Sequence, residues 1–275
     1  PRLEGQLTKA LGYGGMVHDF KNLVLRQDLE LIGEVQNEIG AARSALSRYQ
    51  NLGLTQGEEN AVAGLRATIS RYELMVPRIR TMIEQGRSSA DIDKLVQIDD
   101  FQAVSGLDTL RRISIAELRD NDNPLENGMG KARLVANLRR DLGYGEMIHH
   151  FKNYVLRSDA IYGQQAAQDI ESLRATLAAY REMGMNTAEQ RAIRDIADVI
   201  QSYSDRLNKV NQLHDEQADL SPREVDQLVK VNDAPALDAL AVLDHESRMR
   251  IGATSAAVSK TLKLLATVAP VVNGL

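Results

Sequence analysis

Apolar positions in this chain recur every three or four residues over long stretches. Ile32, Val35, Ile39, Ala42, Leu46 and Tyr49 form one stripe, and Ala61, Leu65, Ile69, Tyr72, Val76 and Ile79 form the next. This spacing puts the apolar side chains on one face of an α-helix, the face an antiparallel bundle buries. The pattern returns in Ala166, Ile170, Leu173, Leu177 and Tyr180, and again in Ala192, Ile196, Ile200, Tyr203, Leu207 and Val210. Thr55-Gln-Gly-Glu58 and Asn186-Thr-Ala-Glu189 have the form of capping boxes that start the second helix of each set. Ser221-Pro-Arg-Glu224 adds proline at the first helical position, and Ser88 to Asp91 is its weaker counterpart. Short amphipathic pieces follow at Ile92–Ile98 and Val225–Val231, then long helices from Phe101 to Arg119 and from Pro235 onward. The periodicity also predicts one helix from Gly14 to Asn51, roughly 55 Å long at ~1.5 Å per residue. Another is expected to run from Lys131 into the motif at Gly143. Helices of such length predict an elongated, all-α rod.

Comparing the sequence with itself gives the strongest signal. The segment Leu11 to Arg26 (LGYGGMVHDFKNLVLR) matches Leu142 to Arg157 (LGYGEMIHHFKNYVLR) at twelve of sixteen positions, offset by 131. The offset persists in Tyr49 and Tyr180, Gly53 and Gly184, Ala61 and Ala192, and Tyr72 and Tyr203. It becomes 133 for Asp93 and Asp226 and for Leu95-Val96 and Leu228-Val229, as a two-residue length change in a loop would produce. The reading is a tandem duplication of two helical-bundle modules, residues 1–120 and 129–275. Residues 121–128, within the turn-forming run Asp120-Asn-Asp-Asn-Pro-Leu-Glu-Asn-Gly128, link them.

Composition narrows the function classes. The net charge of −5 argues against nucleic-acid binding, which calls for a basic surplus. Aromatic residues make up 4% of the chain and tryptophan is absent, so the core must be aliphatic. With no cysteine, the redox compartment is not legible, and a thiol nucleophile is excluded. No glycine-rich phosphate loop or Ser-His-Asp pattern is present, so no catalytic residues and no cofactor are expected. Glu146-Met-Ile-His149 has the Glu-x-x-His spacing of di-iron bundles. Gly15 stands where the first repeat would need its glutamate, and no metal site is expected. No run of apolar residues is long enough to span a bilayer, and the start at Pro1 suggests a processed or excised piece.

The chemistry concentrates in the repeated motif. On a helix, Met16, Val17, Phe20, Leu23 and Val24 share one apolar side with Tyr13, while His18, Lys21 and Asn22 occupy an adjacent sector with Arg26 at its edge. Tyr144, His149, Lys152, Asn153 and Arg157 repeat this arrangement. Helical periodicity requires the methionine and phenylalanine but does not require His, Lys and Asn twice. One reading is structural: these groups satisfy buried polar atoms or cap a neighbouring helix. The other is a polar pocket in each module for a small polar or anionic ligand. Lysine would bring charge and donors, asparagine both donor and acceptor, and histidine a group that titrates near neutrality. Two glycines within one turn point to a helix break or a close backbone approach, with Tyr13 and Tyr144 as pocket walls.

Two resemblances follow from these residues. His18-Asp-Phe-Lys-Asn22 and His149-His-Phe-Lys-Asn153 resemble the phospho-acceptor box of sensor histidine kinases, which would make His18 or His149 a phosphate acceptor in a cytosolic phosphotransfer module. The whole chain is similar to extracytoplasmic sensor regions of bacterial transmembrane receptors, in particular the helical bimodular class. The similarity lies in its size, its tandem all-α modules and the Gly-Tyr-Gly-x-Met-[Val/Ile]-His-x-Phe-Lys-Asn signature near the amino end. That resemblance implies a periplasmic, non-enzymatic ligand-sensing domain of a chemoreceptor, histidine kinase or cyclase. It further implies a homodimer attached to the membrane through flanking helices.

Overall fold

Among the described residues of this computed structural model, caps and breakers divide the periodic stripes into twelve helices, and no strand occurs. The structure describes the backbone of residues 2–12, 14–51, 53–120, 126–143, 145–216 and 219–272. Side chains are described throughout these except for residues 2–4, 114–120, 126–129 and 254–272. In chain order the first six helices are α1 (Arg2–Leu11), α2 (Met16–Arg26), α3 (Leu31–Gln50), α4 (Gln56–Glu84), α5 (Ser89–Val96) and α6 (Phe101–Asp120). The last six are α7 (Glu126–Leu142), α8 (Met147–Arg157), α9 (Ala160–Glu182), α10 (Thr187–Asp215), α11 (Pro222–Val229) and α12 (Ala234–Val272).

Both six-helix sets pack alike. In the first, α1 lies against α3 and α6, α3 against α4, and α4 against α6, with the short α2 and α5 on the side. In the second, α7 lies against α9 and α12, α9 against α10, and α10 against α12, with α8 and α11 on the side. Every residue of the four apolar stripes is buried. Each fully buried Leu, Ile or Val contributes about 1.5–3 kcal/mol relative to exposure, so these stripes are the main source of cohesion. Edge-on ring pairs recur as well: Phe20 meets Tyr72 at 4.7 Å between centroids, and Phe151 meets Tyr203 at 5.1 Å. The expected capping boxes at Thr55–Glu58, Asn186–Glu189 and Ser221–Glu224 are all formed, and Ser88 caps α5 through the Asp91 amide.

Three expectations about helix continuity need correction. The stretch from Gly14 to Asn51 is two helices, because Gln27 turns into the left-handed region (φ 55°) and α3 folds back against α2. Ser158 makes the same turn (φ 55°) between α8 and α9. Asp28 and Asp159 follow these turns, and their carboxylates accept from the Glu30 and Ile161 amides, an arrangement that favours a turn over continued helix. The helix expected from Lys131 into the motif at Gly143 starts earlier, at Glu126, and ends at Leu142, one residue short of the motif. Of the expected linker, positions 126–128 belong to α7, and 121–125 lie outside the described residues.

Candidate functional site

Glycine sets the position of the motif helices. Gly14 (φ +68°) and Gly145 (φ +82°) make the turns that precede α2 and α8, in a region of backbone space that other residues rarely adopt. They also let the chain come close to the opposite six-helix set. A β-carbon on Gly14 would sit 2.7 Å from Leu237 Cδ2 on α12, and one on Gly145 would sit 3.0 Å from Val104 Cγ2 on α6. The break and the close approach are therefore both present. Tyr13 and Tyr144, expected as pocket walls, lie outside the described residues.

Met16, Val17, His18, Phe20 to Leu25 and their neighbours bury both the apolar and the polar sector of α2, because α3 covers one side while α8 and α11 cover the other. α8 lies in the same way between α9 on one side and α2 and α5 on the other. The polar residues of the two motifs consequently meet each other. Lys21 Nζ donates to Asn153 Oδ1 at 2.7 Å, and Lys152 Nζ donates to Asn22 Oδ1. The arginines cross over too. Arg157 binds Asp93 on α5 through Nε at 2.8 Å and Nη2 at 3.3 Å, and Arg26 Nε reaches Asp226 on α11 at 3.3 Å. His18 Nε2 lies 3.4 Å from Asp233 Oδ2, just ahead of α12.

Burial dominates the electrostatics. It pushes Lys21 down to about 8, with Asp100 and Asp93 partly opposing and Arg157 assisting. It likewise brings Lys152 to about 8, against the pull of Asp233. His18 and His149 are held well below the ordinary histidine value, first by burial and then by cations, with Lys152 acting on His18 and Lys21 on His149. The contact of His18 with Asp233 thus joins a neutral ring to a carboxylate. Two neighbours shift the other way. Asp19 rises to about 6 and Glu146 to about 7, chiefly because burial disfavours their charged forms.

A cavity of about 530 Å³ opens between α2, α8 and the α5–α6 connection, and Lys21, His149, Asn153 and Arg157 are on its wall. Asp93, Asp99, Asp100, Tyr72, Phe101 and His150 are also part of its polar and aromatic lining, and the sequence reading names none of them as a site residue. Asp93 carried a usable signal, since it recurs as Asp226. Asp99 and Asp100 sit at the helix start before Phe101, where an acidic residue is ordinarily read as a cap, and Asp99 Oδ1 indeed accepts from the Phe101 amide. A smaller cavity, of about 330 Å³ at the α3–α4 turn, includes none of the motif residues.

The cavity that includes motif residues lies between the two helix sets, with α2, α5 and α6 of the first and α8 and α9 of the second around it. Lys21 is 8% exposed, and among the described residues Asn153 Oδ1 is the one acceptor for its three donors. Such a group, facing a cavity, can bind an acceptor or an anion. Among the described residues no group of three or more His, Asp or Glu is placed to hold a metal ion, and no helix is long and apolar enough to cross a membrane. Comparison of the chain with known protein families, with curated protein sequences and with solved structures finds no match.

Proposed function

We propose that this chain is the ligand-sensing part of a membrane-bound signalling receptor, and that it binds a small polar molecule in the cavity between α2, α8 and the α5–α6 connection. In this reading the chain consists of two copies of one helical module, joined through their motif helices in a pseudo-two-fold arrangement. The matching orders of packing and the reciprocal Lys–Asn and Arg–Asp contacts support the duplication. The observation that carries the binding role is Lys21, a buried ammonium with a single neutral acceptor on the wall of a cavity. Burying a charge so sparsely bonded is unfavourable, and proteins keep such groups where a ligand completes the bonding.

The location suits a sensor. A ligand there touches α2 and α5 of one module and α8 of the other, so it binds one relative placement of the modules better than another. That difference in affinity is what a ligand needs to shift a conformational equilibrium. An extracytoplasmic, homodimeric parent receptor completes the proposal. A phospho-acceptor role calls for an imidazole open to a kinase domain; His18 is 8% exposed, whereas His149 is half-buried on the cavity wall.

Thermal-shift measurements with organic acids, amines, amino acids and inorganic anions test the reading. A stabilising ligand whose effect disappears in Lys21→Met is expected. A folded protein that responds to none of them would remove the ligand-binding role.

A further inference from the structure

The charges around the cavity do not suit a simple anion or a simple cation. Arg157 and Asp93 satisfy each other through two hydrogen bonds. Lys21 remains at the inner wall, and Asp99 remains on the α5–α6 connection beside Asp100. Asp100 is half-buried and accepts from the Tyr72 hydroxyl at 2.9 and 3.0 Å. Asp99 is exposed, and among the described residues its one hydrogen bond is from the Phe101 amide at 3.0 Å. Phe101 itself is 75% exposed and lines the same cavity, leaving a ring face open beside the two carboxylates. Such a face attracts an ammonium group. With Arg157 and Asp93 paired, a plain carboxylate would gain Lys21 but face Asp99, and a plain amine would gain Asp99 but face Lys21.

We infer that the cavity selects a zwitterion, an amino-carboxylate whose carboxylate bonds to Lys21 Nζ and whose ammonium lies against Asp99 and the Phe101 ring. This rests on the ligand-binding reading above and adds the ligand class to it. The molecule is neutral overall, so its entry leaves the charge balance of the buried site unchanged. A volume of about 530 Å³ accommodates a ligand of amino-acid size.

Isothermal titration calorimetry on the full chain, with the L-α-amino acids and 4-aminobutanoate as probes, decides the matter when each zwitterion is paired with its one-ended analogues, such as butanoate and butylamine. At least one amino-carboxylate should bind about tenfold or more tightly than both of its analogues. Asp99→Asn, which keeps the acceptor for the Phe101 amide, should weaken that zwitterion by about tenfold. Lys21→Met should abolish binding. If Lys21→Met fails to fold, the analogue pairs and Asp99→Asn still decide. Carboxylates or amines that bind as well as the zwitterions would overturn the ligand class and leave the cavity's binding role standing. No binding by any probe would overturn both.

Discussion

Lys21 and Asn153 stand 132 positions apart, yet their side chains share a 2.7 Å hydrogen bond in the buried contact between α2 and α8. An ammonium facing an amide lacks the charge compensation a carboxylate would give, so the bond is more consequential to lose than to replace. Asn153→Leu leaves the ammonium without its acceptor and is expected to destabilise the fold by about 2–4 kcal/mol. Lys21→Met removes the charge itself and should be milder. The double substitution should destabilise by at least about 1 kcal/mol less than the two single effects added together. Urea unfolding of the four proteins checks this.

Lysine titration gives a pH signature. Lys21 and Lys152 lose their protons near pH 8 in the folded chain but near 10.5 when unfolded. Below pH 8 both states are protonated and the burial penalty is fully felt. Between about 8 and 10 the unfolded chain holds more protons, so stability rises with pH, by up to about 1.4 kcal/mol per pH unit for each lysine. Above pH 10 the trend should turn, because Tyr154 and Tyr180 keep their protons longer in the folded state. Unfolding free energies at pH 8, 9 and 10 should show the rise, and Lys21→Met should reduce its slope by about one proton. An unchanged slope would mean that Lys21 is ordinarily solvated.

The crossed arginine pairs differ in quality. Arg157 makes two hydrogen bonds to Asp93, whereas Arg26 makes one, of 3.3 Å, to Asp226. Asp93→Asn is therefore expected to destabilise by about 2 kcal/mol and Asp226→Asn by about 1 kcal/mol. Chemical denaturation of the two variants should rank them in that order. The reverse order would show that the geometry of the pairs does not control their strength.

Glycine substitutions should separate cleanly. Gly14→Ala demands a left-handed conformation, costing about 1–2 kcal/mol, and also drives a methyl group into Leu237. It should lower the melting temperature by several degrees, with Gly145→Ala behaving similarly against Val104. Gly40, on the exposed face of α3 with open space around it, is the control, and Gly40→Ala should stabilise by about 0.5–1 kcal/mol. Thermal melts followed by circular dichroism distinguish the three.

Residue spacing carried most of the helical architecture. The stripe from Ile32 to Tyr49 and the box from Thr55 to Glu58 are local features, set by interactions within a few residues, and such features are legible in a single chain. The turn at Gln27 was hidden because glutamine has no particular leaning toward the left-handed region. The aspartate after it was the available signal. Lys131 was missed altogether. It is 1% exposed and donates to both oxygens of Glu189, a carboxylate that Tyr180 and Arg250 also bind, in a network that joins α7, α9, α10 and α12. Periodicity tells which side of a helix a residue occupies but not what stands opposite. The motif's His, Lys, Asn and Arg were identifiable as unusual, whereas their partners, drawn from the other half of the chain, were not.

The crossed contacts also constrain how the sequence can drift over generations. A change at Lys21 would be answered at Asn153, and a change at Arg26 at Asp226, rather than at neighbouring positions. Each repeat thus inherits its freedom to vary from the other, and a substitution harmless in one background becomes damaging once its counterpart has moved. The coupling falls on the Lys and Asn of both motifs and not on exposed faces such as that of α3.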